Sequence, residues 1–387
     1  MLGRLLRRLQ SSTVTWPLAL FGIWWLLLQG FAVAAAQRVD LVPPDGAYAW
    51  IGGTDATKTS DRPDWLALHV RWDSGFYIWI AESGYQHDNA AFLPLYPLCI
   101  RVATAAWSML ANVAPTDATY QSLGILISNV SAVGAALVLY RLARLDFDDA
   151  EARHALFYFL IFPTAFFLTT VYTEPLFLLG AVMSFYFARR HHWWLAGLVG
   201  SCAALTRFAG LWLFPALLAE WWSVRGRNRW GWIALLPIPM AFLGFELFLR
   251  FHGLSFFVSQ ADVFGRWPPQ PLAMWANLAW DYSRLHPAAQ VQHLLEIGIG
   301  LGALILSLAA GRQLRLGYGI FGILCVVGPL LTGTLVSMER YALAAFPIFL
   351  VLGRNRRSVW VEYGYTLGAI LLLALYTLLF VQGYWAG

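Results

Sequence analysis

Asp73 is the residue of this sequence best suited to chemistry. It lies in the segment 61–85, DRPDWLALHVRWDSGFYIWIAESGY. His69, Asp73 and Tyr77 recur there every four residues and would share one face of a helix. A carboxylate held on such a face beside a membrane can accept the proton of a hydroxyl group while that oxygen attacks the anomeric carbon of a sugar. We therefore predict Asp73 as the catalytic base, with His69 and Tyr77 near the acceptor; an ion pair with Arg71 is the structural alternative.

The same segment must form a helix along the membrane surface if it is to hold that carboxylate in place. Asp61 can cap the helix and Pro63 suits its first turn. Large apolar side chains recur at helical spacing on one face: Trp65, Leu68, Trp72, Phe76 and Trp79. This stripe is typical of an amphipathic helix whose tryptophans lie at the depth of the lipid headgroups.

A second acid, Glu174, lies in the sequence VYTEPLF between two apolar stretches, where we predict an external turn. Carboxylates next to membrane spans are functional candidates, because charge is costly in hydrocarbon. Glu174 could orient an acceptor, bind a divalent cation together with Asp73, or cap the helix that begins at Pro175. The residues imply no certain cofactor, and a divalent cation is left open.

Two arginines lie at the ends of apolar stretches, Arg207 in ALTRFAG and Arg340 in SMERYAL. A lone cation there is costly unless an anion pairs with it, and a lipid phosphate would supply that anion. Guanidinium binds phosphate in a forked geometry and stabilises the charge of a phosphate leaving group. We predict that Arg207, Arg340 and Arg71 bind a donor phosphate. For Arg340, an ion pair with Glu339 or snorkelling to the headgroups is the alternative.

Further aromatic and basic side chains are predicted to line the same pocket: Trp72, Tyr96, Tyr172, Arg266 and Tyr341. Arg266 belongs to the polar segment 253–290, which we expect to form an external lid or acceptor platform. The three cysteines lie in apolar sequence without metal-ligand spacing. They therefore predict neither a disulfide framework nor a zinc site.

All of these residues belong to a chain whose composition suits lipid. Of its 387 residues, 59% are hydrophobic and 12% are charged, which is more apolar surface than a soluble core can bury. Apolar stretches of about 20 residues recur, as membrane-spanning helices require, and they lack the period-two alternation of a barrel. The net charge of +5 comes from short arginine clusters between apolar stretches, so we exclude nucleic acid as a partner.

The arginine clusters also predict which side of the membrane each segment occupies. Arginines in the first eight residues precede the first span and place the N-terminus in the cytoplasm. Residues 37–117 then form a first external loop, which contains the amphipathic helix and a partly embedded, re-entrant helix near 92–111. We predict an all-α, multi-pass transmembrane protein with one domain over 1–387, about eleven spans and an external C-terminus.

The predicted spans are 16–36, 118–142, 155–171, 174–189, 231–251, 291–311, 317–336, 341–353 and 359–383, together with a broken pair inside 193–222. The stretch 193–222 carries basic clusters at both ends, so a single crossing would contradict the positive-inside rule. We therefore predict two short helices that meet near Thr206, Arg207 and Gly210, with Arg207 at the external face.

Several segments occur in an order that resembles a known family: RWDSGFYIWIAESGY, AFLPLYP, FPTAFFLTTVYTEPLFLL, ALTRFAG and ERYALAAFPIFL. They resemble the prokaryotic relatives of GPI mannosyltransferase II, the PIG-V family of GT-C glycosyltransferases, over most of residues 65–350. The resemblance implies a GT-C fold and an inverting transfer of a sugar, usually mannose, from a polyprenyl- or dolichyl-phosphate donor to a lipid or glycan acceptor. It also implies that Asp73 is the catalytic acid of the first loop and Glu174 the second acid.

For such a protein we expect the bacterial inner (plasma) membrane, with the active site on the periplasmic or extracellular side and membrane lipids as partners. The alternative class is a transporter or flippase of lipids or lipid-linked sugars, which also uses intramembrane charges near broken helices. That class predicts charges near the bilayer midplane and an inverted repeat, and the sequence offers neither clearly. A glycosyltransferase is therefore the preferred interpretation.

Overall fold

The computed structural model describes residues 13–39, 65–224, 229–269, 287–333 and 335–386, and the regular elements within these ranges are helices. The all-α class predicted from the sequence is confirmed. The α-helices are α1 (Thr15–Arg38), α2 (Ser74–Ser83), α3 (Leu95–Ala111), α4 (Asp117–Ala143), α5 (Asp149–Leu160), α6 (Glu174–Arg189), α7 (Trp193–Ala204), α8 (Leu213–Val224), α9 (Pro237–Phe251), α10 (Phe256–Asp262), α11 (Pro287–Gln313), α12 (Leu316–Leu330), α13 (Met338–Ala344), α14 (Pro347–Arg354) and α15 (Thr366–Val381).

Among the described residues, five helices are long and apolar enough to cross a membrane: Thr15–Arg38, Asp117–Ala143, Ile233–Phe251, Gln290–Gln313 and Trp360–Val381. Their outer surfaces carry large apolar side chains, such as Leu26 and Leu27 of α1, which are 65% and 70% exposed. Apolar surface of this kind on long helices belongs in lipid. The chain is therefore a multi-pass membrane protein, and the number of about eleven spans stays a prediction.

Two predicted spans are interrupted at prolines. The sequence predicts a span over 155–171, but α5 ends at Leu160 and Pro163 follows. The predicted span 341–353 is divided between α13 and α14, with Pro347 at the start of the second helix. Proline lacks the N–H that a helix interior needs, and it disfavours the helical conformation of the residue before it. The prediction of a continuous helix is therefore wrong for both stretches.

The break predicted inside residues 193–222 is confirmed. α7 ends at Ala204, and the chain is extended at Arg207 (φ −144°, ψ 145°) before a 3₁₀ turn leads into α8. Gly210 of that turn packs against the end of α7, since a Cβ on it would lie 2.4 Å from the carbonyl carbon of Ala203. The absence of a side chain at Gly210 thus allows the turn to fold back on α7.

The chain divides into two compact units, each built from separate stretches of sequence. Unit one comprises Met1–Glu82, Pro97–Val182 and Leu352–Ala386, and unit two comprises Ser83–Tyr96 and Met183–Val351. The single domain over 1–387 that the sequence predicts stays a prediction.

Small residues allow close packing inside each unit. In unit one, a Cβ on Gly124 of α4 would lie 3.0 Å from the Val171 side chain. In unit two, a Cβ on Gly319 of α12 would lie 2.5 Å from the Cα of Gly311 in α11. Close approach of this kind is how membrane helices gain packing energy in the absence of a hydrophobic driving force. In unit one, the contact between Gly124 and Val171 holds the stretch 171–174, which ends at Glu174.

Candidate functional site

The first candidate segment is a turn followed by a short helix. Residues 65–69 and 72–73 form turns, and α2 begins only at Ser74. Trp72 has a φ of 52°, in the left-handed region that non-glycine residues rarely adopt. The predicted continuous amphipathic helix is therefore wrong over 65–73, and its apolar stripe does not form one helix face. The predicted cap Asp61 and first-turn residue Pro63 lie outside the described residues.

Another part of unit one binds the backbone of this turn. The His69 carbonyl oxygen accepts a hydrogen bond from the Val171 N–H at 3.0 Å. The Arg71 carbonyl oxygen accepts one from the Tyr172 hydroxyl at 3.1 Å. In a continuous helix both carbonyls would accept from N–H groups four residues later in the chain. Because tertiary contacts occupy them, the segment is a turn instead of a helix.

Asp73 immediately precedes α2 and is half-buried. Its carbonyl oxygen accepts hydrogen bonds from the N–H groups of Phe76 at 3.1 Å and Tyr77 at 3.3 Å, so the helix starts at the residue that carries the carboxylate. The positive end of the helix dipole favours a negative side chain at this position. The turn thus presents a carboxylate that a hydroxyl group can still reach.

The residues on either side of the carboxylate are anchored within unit one. Trp72 donates a hydrogen bond from Nε1 to the Tyr384 carbonyl oxygen at 3.2 Å, and its ring meets the edge of Trp385 with centroids 5.4 Å apart. Tyr77 is buried, and its hydroxyl lies 3.4 Å from Oγ1 of Thr173. These contacts of Trp72 and Tyr77 restrict the movement of the backbone that carries the Asp73 carboxylate, and catalysis requires such precise positioning.

His69 braces the turn against α1. Its Nδ1 lies 2.9 Å from the Trp65 carbonyl oxygen, and its Nε2 lies 2.8 Å from Oε1 of Gln29. Burial lowers the pKa of His69 below its usual value. A neutral ring that donates from Nδ1 accepts at Nε2, so the Gln29 amide has to turn its nitrogen toward Nε2 in place of its oxygen. The geometry favours a structural role for His69 over the predicted contact with an acceptor.

Glu174 is the first residue of α6 and is fully buried. It directly follows residues 171–173, which bind the Asp73 turn. The two predicted acids therefore belong to one assembly inside unit one. In the part of the chain that the structure describes, no group of three or more His, Cys, Asp or Glu side chains is arranged to hold a metal ion.

In unit two, two arginines meet one tyrosine. The Arg207 guanidinium carbon lies 5.9 Å from the centre of the Tyr341 ring, at the outer range of a cation–π contact. Arg266 donates a hydrogen bond from a terminal nitrogen to the Tyr341 hydroxyl at 3.4 Å. Tyr341 therefore brings together two side chains that are 59 residues apart in sequence. Two guanidinium groups around one hydroxyl make a positive centre that suits a phosphate.

The remaining predicted residues have more enclosed positions. Arg340 precedes Tyr341 in α13 and is only 5% exposed, and Tyr96 of unit two is fully buried. Arg71 is half-buried in the turn of unit one, two residues before Asp73. Contacts of these side chains with a donor stay predictions.

Gln29 and Thr173 contact the candidate site but were not predicted from the sequence. Gln29 is 6% exposed and lies inside the first apolar stretch, where a polar residue is costly unless it has a partner. A polar residue at that position indicates a buried hydrogen-bond partner, so Gln29 could have been predicted from the sequence. For Thr173 the sequence contains no such signal beyond its place next to Glu174, because a single threonine at a helix start is common.

Comparison with known sequences finds a family for part of the chain. Residues 60–213 match the sequence profile of the family described as mannosyltransferase (PIG-V), which confirms the predicted resemblance over this segment. The chain is 29% identical over 143 residues to GPI alpha-1,6-mannosyltransferase 2 of Rattus norvegicus, a match that covers 36% of this chain and 29% of that protein. It is 29% identical over 168 residues to GPI mannosyltransferase 2 of Yarrowia lipolytica, covering 42% of this chain and 44% of that protein. Less than half of each relative is therefore matched, and these matches support a glycosyltransferase.

Among solved structures, the chain is similar to the oligosaccharyltransferase of Archaeoglobus fulgidus. The similarity has a TM-score of 0.44 at 13% identity and covers 96% of this chain and 55% of that protein. At this TM-score the similarity carries no conclusion about fold or activity.

Proposed function

We propose that this chain is an inverting membrane glycosyltransferase that moves a sugar, mannose by resemblance, from a polyprenyl-phosphate donor to a lipid or glycan acceptor at the external membrane face. One observation carries the proposal: the segment 60–213 that matches the mannosyltransferase family contains Asp73, Glu174 and Arg207. These are two acids and one of the arginines that the chemistry requires.

Asp73 is the proposed base because it can be reached. It is half-buried, whereas Glu174 has no exposed surface. In the proposed step the Asp73 carboxylate accepts the proton of an acceptor hydroxyl as that oxygen bonds to the anomeric carbon. The bond from this carbon to the phosphate oxygen breaks at the same time, and the electron pair leaves on the lipid phosphate. Asp73 later releases the proton to water, and a role for Glu174 in orienting the acceptor requires the site to open around its buried carboxylate.

The arginines stabilise the leaving group in this proposal. Arg207 and Arg266 meet at Tyr341, and fixed positive charge next to a departing phosphate, which gains a second negative charge as its bond to the sugar breaks, lowers the transition-state energy more than that of the singly charged phosphodiester. Arg71 and Arg340 are the further candidates for the donor phosphate.

The direct test is sugar transfer by the purified protein in proteoliposomes, with polyprenyl-phosphate mannose as donor and a panel of lipid and glycan acceptors. Asp73→Asn keeps the shape of the side chain but cannot accept the proton. We expect its turnover to fall by a factor of about 10² to 10⁴ while the donor KM stays near that of wild type. Asp88→Asn is the matched control, since Asp88 is an exposed acid that lies outside the candidate site.

Two outcomes would contradict the proposal. Equal turnover by wild type and Asp73→Asn would exclude Asp73 as the base. Movement of the lipid-linked sugar across the bilayer without any transfer to an acceptor would favour the flippase alternative. Parallel assays with and without EDTA test whether a divalent cation between Asp73 and Glu174 takes part.

A further inference from the structure

Glu246 is a buried acid in unit two with an unusual set of partners. It lies in the apolar helix α9 and is only 5% exposed. Its Oε1 accepts hydrogen bonds from Nε of Arg250 and from the Ser255 hydroxyl, both at 2.8 Å. Its Oε2 accepts a hydrogen bond from the N–H of Phe256 at 2.9 Å. Two of these three donors belong to the start of the next helix, α10, so this carboxylate links one helix to the next.

The carboxylate caps α10 from outside that helix. Ser255 occupies the N-cap position, but its side chain makes no capping bond and donates to Glu246 instead. The first N–H of α10, at Phe256, would otherwise have no partner within the helix. A helix of seven residues is unstable on its own, so it depends on such contacts. Glu246 therefore fixes where α10 begins and supplies negative charge at its positive end.

The other end of α10 leads directly to an arginine of the candidate site. Gly265 has a φ of 62°, and its N–H donates to the Ala261 carbonyl oxygen at 3.0 Å. The N–H of Arg266 donates to the Gln260 carbonyl oxygen at 2.9 Å. The bond from the N–H of the left-handed glycine to the carbonyl four residues earlier is an αL-type helix end, which turns the chain in a defined direction. The side chain of Arg266 then reaches the Tyr341 hydroxyl.

An apolar residue of α10, Phe256, contacts Phe208, the residue that follows Arg207. The ring of Phe256 stacks on that of Phe208, with centroids 5.8 Å apart and planes 9° from parallel. Phe208 directly follows Arg207 in the chain. Phe256 also belongs to the buried cluster of Ala90, Leu93, Phe245, Leu249 and Phe256. One short helix thus contacts the supports of both Arg207 and Arg266, and Glu246 fixes its beginning.

We propose that Glu246 is a positioning residue for the anion-binding arginines, acting through α10 to hold Arg266, and to a smaller extent Arg207, in place for a phosphate. The inference rests on the proposed function for its ligand, because it is the donor phosphate that the arginines would bind. Glu246 itself touches neither donor nor acceptor in this proposal. Its removal should therefore weaken donor binding and leave the chemical step unchanged.

The variant that tests this is Glu246→Ala, with Glu246→Gln as a milder change that keeps one oxygen for the Phe256 N–H. We expect Glu246→Ala to raise the donor KM about tenfold with kcat within about twofold of wild type. The donor KM of Glu246→Gln should lie between those of wild type and Glu246→Ala. The dissociation constant of farnesyl phosphate, measured by tryptophan fluorescence, should rise by a similar factor. Amide exchange over residues 256–266 should accelerate in Glu246→Ala without any ligand.

Two double variants separate positioning from a general loss of structure. Ser255→Asp places a capping carboxylate at the N-cap itself, so Glu246→Ala with Ser255→Asp should recover most of the donor affinity. If Glu246 acts mainly through Arg266, then Glu246→Ala should add little to the KM of Arg266→Ala. If Glu246→Ala instead caused a general loss of structure, its effect on the donor KM would add in full to that of Arg266→Ala.

The outcomes distinguish this inference from the proposed function. If wild type transfers sugar and Glu246→Ala has the same donor KM and the same amide exchange, the positioning role of Glu246 is wrong and the proposed function stands. Full additivity with Arg266→Ala would also overturn that role. If wild type neither transfers sugar nor binds farnesyl phosphate, the proposed function fails, whatever the exchange measurement gives for α10.

Discussion

The close approach at Gly210 gives a direct test of how Arg207 is held. A Cβ there would lie 2.4 Å from both the Ala203 carbonyl carbon and the Ala204 nitrogen, whereas ordinary contacts begin at 3.4 Å. In Gly210→Ala the turn must therefore open by about 1 Å. Overpacking of this kind costs about 1–3 kcal/mol of unfolding free energy. A displacement of about 1 Å at a substrate-binding group can lower turnover by a factor of about 10².

The matched control is Gly244→Ala in α9 of the same unit. A Cβ at Gly244 would meet nothing within 4 Å, and alanine is favoured over glycine in a helix by up to about 1 kcal/mol. The two substitutions make the same chemical change in opposite surroundings. Thermal unfolding of both variants in one detergent, followed by tryptophan fluorescence, and the donor KM of each are the measurements. We expect Gly210→Ala to melt lower than wild type with a raised donor KM, and Gly244→Ala to match or exceed wild type in melting temperature.

One result would refute this reasoning. If Gly210→Ala melts at or above the temperature of wild type and keeps the donor KM, then the turn tolerates a side chain. Gly210 would then not fix Arg207, and the position of this arginine would have to depend on its contact with Tyr341.

Three further predictions concern single side chains. Tyr341→Phe removes the hydroxyl that accepts from Arg266 but keeps the ring, so the donor KM should rise about fivefold, as expected for one hydrogen bond of about 1 kcal/mol, and an unchanged KM would argue against this contact. Tyr172→Phe removes the donor to the Arg71 carbonyl oxygen and should lower the unfolding free energy by about 1 kcal/mol in a denaturation experiment; no loss would show that the bond is dispensable. Because the pKa of His69 is lowered in the folded state, its stabilisation should be complete above pH 6.5, the usual value of the unfolded chain, and should diminish as the pH falls below it. Melting curves of wild type and His69→Gln should therefore differ most above pH 6.5 and converge at lower pH, and a constant difference would contradict the assignment.

Local signals in the sequence predicted the break between α7 and α8. Basic clusters at both ends of 193–222 excluded a single crossing, and Gly210 marked a position where a helix can be interrupted. The break between α7 and α8 could therefore be predicted without knowing any contact to distant residues. The same local reasoning fails at 155–171, whose apolar composition predicts one span although Pro163 alone is enough to end a helix.

The turn at Asp73 could not be predicted in the same way. Its sequence has the periodicity of an amphipathic helix, and from Ser74 onward a helix does form. The preceding residues turn because the carbonyls of His69 and Arg71 bond to Val171 and Tyr172, about 100 residues later. A periodic pattern carries no information about such partners.

What the sequence by itself determined is the class of the molecule: an apolar, helical, multi-pass membrane chain with acids at 73 and 174 and arginines at the ends of apolar stretches. Composition and helical periodicity are local properties, and lipid leaves the helix as the only way to satisfy the backbone of such a chain. Only the tertiary structure decided that Tyr341 joins Arg207 to Arg266 and that Glu246 caps a helix ten residues away. Those contacts depend on which helix faces meet, and side-chain packing between distant segments determines that.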